Sequence, residues 1–99
     1  MTMLLPLDKY PSIDVHGETR DTVYTVIKNF INDNLKLKNP IIIIVHGKGQ
    51  GVLKNEIHYH LKQMKEVKTY HLHYWNQGVT VVELNIWQIS TFYDIITKQ

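Results

Sequence analysis

Ninety-nine residues, 43% of them apolar, suffice for one domain with a real core and leave no room for a second. The absence of cysteine excludes a disulfide framework and a thiolate zinc site, and the apolar run in "MTMLLPL" is too short for a signal peptide or a membrane span, so a cytoplasmic protein without membrane contact is expected. A net charge of +2 permits nucleic-acid binding without demanding it, so function has to be read from the placement of residues rather than from bulk charge.

Residues 1–11, with prolines at 6 and 11, read as an extended N-terminal arm. "SIDVHG" alternates Ile13 and Val15 with Asp14 and His16 and stops at Gly17, the pattern of a short strand. From Thr19, a suitable N-cap, Val23, Val26, Ile27, Phe30 and Ile31 recur at helical spacing, and Pro40 bars continuation, which predicts a helix over about Thr19 to Leu35. "IIIIV", Ile41 to Val45, is apolar on both faces and suits a central strand. After a glycine-rich loop, Leu53, Ile57, Leu61 and Met64 mark a second helix, with lysines elsewhere on it. "VKTYHLHYW" alternates Tyr70, Leu72 and Tyr74, expected in the core, with Thr69, His71 and His73. A turn at "NQG" leads into the strand "VTVVEL". Ile89, Phe92, Tyr93 and Ile96 share one face of a short C-terminal helix within an extension over residues 86–99. The order is β-α-β-α-β-β, an α/β single domain over residues 12–85 with a four-stranded mixed sheet in a two-layer sandwich.

A strand, a crossover helix and a second strand in one sheet run parallel, so their carboxyl ends share an edge. Asp14 and His16 close the first strand and His46 the second, and they face one cleft if the strands are neighbours. The loop Gly47, Lys48, Gly49, Gln50, Gly51 leaves from that edge and opens a helix, so backbone N–H groups and the positive helix end point where an anion can sit, with Lys48 and Lys54 adding charge. The three glycines also serve a tight turn by supplying positive φ. "GKGQG" fits neither the Walker loop nor the dinucleotide fingerprint, but it remains compatible with a phosphate-bearing polymer. His58 and His60 point in different directions on a helix, and His71 and His73 lack a third ligand, so solvated faces are expected and no metal site is assigned.

"IDVHG", "HGKGQGVL" and "GVTVVEL", in that order and with those element lengths, resemble the small MutS-related (Smr) domain over about Ser12 to Leu84. Its Leu-Asp-x-His-Gly motif falls on Ile13, Asp14, Val15, His16 and Gly17. Its His-Gly-x-Gly motif falls on His46, Gly47, Lys48 and Gly49, and its basic residue after the loop on Lys54. The family's Gly-Gly-x-Gly is replaced by Trp75, Asn76, Gln77 and Gly78, which keep only the last glycine. The resemblance implies a fold like the C-terminal domain of bacterial translation initiation factor three and binding of RNA or DNA. Several members are endonucleases, and some act on messenger RNA at stalled or collided ribosomes.

With that resemblance, Asp14, His16 and His46 are read as catalytic, and Gly47, Lys48, Gly49, Gly51 and Lys54 as the phosphate-binding set. Two histidines suffice for cleavage of RNA, one taking the 2′-hydroxyl proton and the other protonating the leaving 5′ oxygen, while Asp14 fixes a tautomer. No cofactor is expected, and water activated by Mg²⁺ is the alternative, ranked lower because the carboxylate and histidines are too few for a two-metal site. The expectation is an endonuclease, either an endoribonuclease or a DNA nickase. It stands beside two others: a non-catalytic RNA- or ribosome-binding module, favoured by the altered "WNQG" turn, and a protein adaptor using the aromatic tail.

Overall fold

The structure, a computed structural model, describes residues 7–86. Its elements are β1 (Ser12–Asp14), α1 (Arg20–Lys36), β2 (Ile41–Val45), α2 (Val52–Gln63), β3 (Val67–Leu72) and β4 (Val79–Leu84). Within the expected arm, Leu7–Lys9 make one 3-10 turn. The C-terminal helix expected around Ile89 to Ile96 lies outside the described residues.

Each element follows from its local chemistry. Thr19 caps α1 reciprocally with Thr22: the Thr22 N–H donates to Thr19 Oγ1 at 3.3 Å and the Thr19 N–H to Thr22 Oγ1 at 3.1 Å. Val23, Ile27 and Ile31 then fall on one face and are fully buried. In α2 the same spacing buries Ile57 and Leu61. Both helices pack on one face of the sheet, where these side chains meet Val15, Ile42, Ile44, Val82 and Leu84 in a single core. The alternate residues of the central strands, Ile43, Val79 and Val81, are buried on the opposite face, with Tyr10 packed against them. Burial on both faces is why β2 carries no polar residue.

The sheet order is β1-β2-β4-β3. β1 pairs parallel with β2, placing Asp14 opposite Val45, and β4 runs antiparallel between β2 and β3. The carboxyl ends of β1, β2 and β3 therefore lie at one edge, and the β3–β4 turn (residues 73–78) lies there too. Insertion of β4 between β2 and β3 sets that turn directly against the glycine loop. The Gly78 carbonyl accepts the N–H of His46 at 2.9 Å and of Gly47 at 3.0 Å.

Gly78 leaves little room for a side chain. A Cβ there would stand 3.1 Å from the Gly47 carbonyl carbon and 3.2 Å from its Cα. Gly17, by contrast, lacks positive φ and has nothing within 4 Å of a Cβ position. Gly78→Ala should destabilise the domain by about 1–3 kcal/mol through backbone overlap, while Gly17→Ala should be neutral or slightly stabilising. Urea unfolding of the two variants checks the contrast, and equal effects would contradict it.

Candidate nucleic-acid site at the carboxyl edge

The turn after β1 is made by the Glu18 N–H donating to the Val15 carbonyl at 2.9 Å, which lifts His16 and Gly17 out of the sheet. The Asp14 carboxylate folds back on this turn. Its Oδ1 accepts the His16 backbone N–H at 3.0 Å and the His16 ring Nδ1–H at 2.5 Å. The ring bond, then the backbone bond, hold the Asp14 carboxyl below its usual range, so it is an anion at neutral pH. With the proton fixed on Nδ1, the exposed His16 ring presents a free Nε2 lone pair to its surroundings.

His46 is only 5% exposed, and both its ring nitrogens are committed inside the protein. Nδ1 lies 3.0 Å from the Gly47 carbonyl, which can only accept, so Nδ1 carries the proton of the neutral ring. Nε2 lies 2.8 Å from Thr80 Oγ1, and Thr80 Oγ1 lies 2.8 Å from His58 Nε2. The neutral chain thus has one consistent direction: His58 Nε2–H donates to Thr80, Thr80 O–H donates to His46 Nε2, and His46 Nδ1–H donates to Gly47. Burial, ahead of the other influences, lowers the pKa of both imidazoles; the Gly47 bond opposes the shift at His46, and the Lys54 charge adds to it at both rings. His58 also packs edge-on against Tyr70 at 4.9 Å.

His16 and His46 do share one cleft, of about 190 Å³, with Gly47, Gly49, Gly51 and Lys54 also in its wall. The α2 N-terminus opens into it. Gly51 caps that helix in the left-handed region at φ 80° without a side-chain bond, and the first turn holds no acidic residue. A second cleft of about 490 Å³ shares the loop and adds Lys48, Leu72, Tyr74, Trp75 and Gln77. Lys54 lines both. Among the glycines expected to need positive φ, Gly47 (86°) and Gly51 (80°) do, but Gly49 does not, and nothing lies within 4 Å of a Cβ position there. Among the described residues nothing requires a glycine at 49, and its bareness leaves the loop backbone open to approach.

Several side chains depart from the expected pattern. His58 and His60, two apart on α2, are not on solvated faces: His58 joins the buried chain to Thr80, and His60 Nε2 pairs with Glu56 Oε2 at 3.0 Å. The sequence signal was present in their flanking of Ile57 and Leu61. His73 is also buried. β3 ends at Leu72, and the His73 ring turns inward, where Nδ1 accepts the N–H of Trp75 at 3.3 Å and of Asn76 at 3.2 Å. That break in alternation puts Tyr74 at 64% exposure instead of in the core, while Tyr70 and Leu72 stay partly buried. No group of three His, Cys, Asp or Glu side chains gathers to hold a metal ion among the described residues.

The two lowered imidazoles predict a pH dependence with a definite sign. Below the usual imidazole value of about 6.5 the unfolded chain takes up protons that the folded chain resists, so this contribution is complete above that value and is lost as pH falls through it. His58→Gln, which keeps an amide donor for Thr80, should lose less stability than the wild type between about pH 7.5 and about pH 5. Equal losses in thermal melts at the two pH values would contradict the neutral, buried assignment.

The comparisons with known proteins agree with this architecture. Residues 13–85 match the Smr domain family. The Endonuclease MutS2 of Geobacillus sp. (strain WCH70) is 35% identical over 75 residues, covering 73% of this chain and 10% of the relative. That of Caldicellulosiruptor bescii is 37% identical over 76 residues, covering 74% and 10%. The chain therefore spans about a tenth of the length of these relatives. The crystal structure of the Smr domain of Thermus thermophilus MutS2 superposes with a TM-score of 0.74 at 26% identity, covering 76% of this chain and 98% of that one. YdaL, a stand-alone small MutS-related protein from Escherichia coli, shares the fold with a TM-score of 0.69 at 21% identity, over 76% of this chain and 66% of that one. With the family match running from Ile13 through Asn85 and the same sheet and helices beneath it, this chain belongs to the Smr domain family.

Proposed function

We propose that the domain binds nucleic acid at the carboxyl edge of the sheet and cleaves RNA there, with His16 as general base and the glycine loop holding the scissile phosphate. The observation that carries this reading is the Asp14–His16 pair, whose exposed imidazole lines the same cleft as the α2 N-terminus and Lys54. A phosphate seated on the N–H groups of the loop and first helical turn, with Lys48 and Lys54 beside it, brings its neighbouring 2′-hydroxyl toward the cleft wall that His16 forms.

In this reading His16 Nε2 takes the 2′-hydroxyl proton as that oxygen attacks phosphorus, and Asp14 holds the ring orientation and stabilises the imidazolium formed. The loop amides and the two lysines neutralise charge developing on the phosphorane and on the leaving 5′ oxygen, which takes its proton from solvent water as the P–O5′ bond breaks and so leaves as the 5′-hydroxyl. His46 takes a different part from the one expected of a second acid–base group. Its nitrogens serve Gly47 and Thr80, so it positions the loop rather than exchanging protons with substrate. No metal ion has a step in this route.

A non-catalytic RNA- or ribosome-binding module is the second reading. It is favoured by one specific observation: of the two imidazoles that line the cleft among the described residues, both nitrogens of His46 are engaged inside the protein, which leaves one where a paired acid and base would place two. The MutS2 relatives carry the name endonuclease, which supports the catalytic reading for a shared domain.

His16→Ala should reduce RNA cleavage by about 10²–10⁴-fold while leaving the melting temperature and RNA affinity close to wild type. His46→Ala should lower the melting temperature, because it strands Thr80 and frees the loop. Cleavage should survive excess chelator, stop at a 2′-deoxy substitution and leave a 5′-hydroxyl product. A 5′-phosphate product that requires Mg²⁺ would overturn the assignment of His16, and a wild-type protein that binds RNA without cutting would establish the second reading.

A further inference from the structure

We propose that Tyr74 and Trp75 form a stacking platform for an unpaired nucleobase, so that this site selects single-stranded over duplex nucleic acid. The proposal deepens the phosphate-binding reading of the glycine loop and rests on it.

Two large aromatic rings side by side at 64% and 62% exposure are a costly use of surface unless something covers them. They line the cleft of about 490 Å³ that also holds Lys48 and Lys54, and among the described residues no carboxylate lines it. Cationic groups and bare backbone at one wall and flat apolar rings at the other match the two ends of a nucleotide. The phosphate takes the lysines and amides, and the base takes the rings. Gln50, on the loop, and Gln77, on the hairpin, also line the cleft and offer amide groups to base edges. An acidic or apolar peptide would satisfy only one side of this surface.

The platform is also held in place before any ligand arrives. The buried His73 ring fixes the backbone at Trp75 and Asn76 by accepting both N–H groups. Asn76 Oδ1 accepts the Gly78 N–H at 3.0 Å, and Gly78 in turn is bonded to the start of the glycine loop. The rings meet edge to face, at 5.1 Å and 86°, so the ring that gives its edge keeps its own faces free for a third ring. Ordering is thus settled in advance, which favours affinity. A duplex keeps its bases stacked inside and offers no base face to such a platform without unpairing.

The test is fluorescence anisotropy with a labelled, unstructured RNA of about 10 nucleotides and with the duplex of the same sequence. Wild type, Trp75→Ala, Trp75→Phe and Lys48→Ala are compared, and thermal melts verify that each folds. Trp75→Ala should weaken single-strand binding about tenfold or more, and Trp75→Phe, which keeps a ring, should weaken it by less than about threefold. Duplex binding should be unchanged in both. An abasic strand should bind wild type more weakly than the intact strand but bind Trp75→Ala no differently from it. Wild-type single-strand affinity in Trp75→Ala, with a loss in Lys48→Ala, overturns the platform and leaves the phosphate site standing. Equal losses on single strand and duplex overturn the selectivity, and a wild-type protein that binds neither overturns the phosphate site as well.

Discussion

The arrangement at the carboxyl edge depends on one close approach between two backbones. Gly78, at the end of the β3–β4 turn, brings its carbonyl to the N–H groups of both His46 and Gly47, an approach so close that a Cβ there would press on the Gly47 backbone. That contact ties the glycine loop to the hairpin on one side, while the β1–β2 pairing brings His16 to the other, where its Cβ lies 3.6 Å from the Cβ position of Gly47. Gly47 is thus the meeting point of three chain segments far apart in sequence. Among the four residues 75–78, where the related motif has three glycines, the one that sterics demand is the one retained.

Beneath the loop lies a second constraint, the buried chain from His58 through Thr80 to His46 and the Gly47 carbonyl. Each member satisfies the next, so a set of polar groups that would be costly in isolation becomes a directional link between α2, β4 and the loop. Two consequences meet at the cleft. The loop carbonyl at Gly47 turns inward to His46, away from an incoming anion, and the neutral state of the rings keeps the positive charge of the site on Lys48, Lys54 and the helix end. In the proposed reading His46 then supports the loop that holds phosphate, while proton exchange is assigned to the Asp14–His16 pair, exposed on its own turn.

Much of this was legible in the sequence because it depends on local pattern. Five β-branched residues at Ile41 to Val45 had to be a buried strand, the spacing of Val23, Ile27 and Ile31 had to be a helix, and a parallel β1–β2 pair had to set Asp14, His16 and the glycine loop on one edge. What was hidden depends on pairing order and on single side chains that reverse direction. Nothing in "VTVVEL" declares that β4 inserts between β2 and β3, and without that insertion the Trp75 turn has no reason to face Lys48. The alternation that assigned Tyr74 to the core fails at His73, whose ring turns inward to accept backbone N–H groups. The helical position of His58 likewise conceals that Thr80, 22 residues away, is its partner. Gly49 was read both as a source of positive φ and as part of the phosphate-binding set; its backbone is ordinary and no described residue lies within 4 Å of a Cβ position there, so the first need is absent.

The central claim is that the Asp14–His16 turn, the glycine loop and the Tyr74–Trp75 hairpin make one continuous surface for nucleic acid. Its most direct test is an NMR titration of the ¹⁵N-labelled protein with a short single-stranded RNA, following backbone amides and the Trp75 indole. The account predicts that the largest shifts appear together at residues 47–54, at His16 and Gly17, and at the Trp75 indole, with α1 from Val23 onward undisturbed. Saturating shifts confined to α1, or to the far edge of the sheet, with the loop and the indole unmoved, would contradict it.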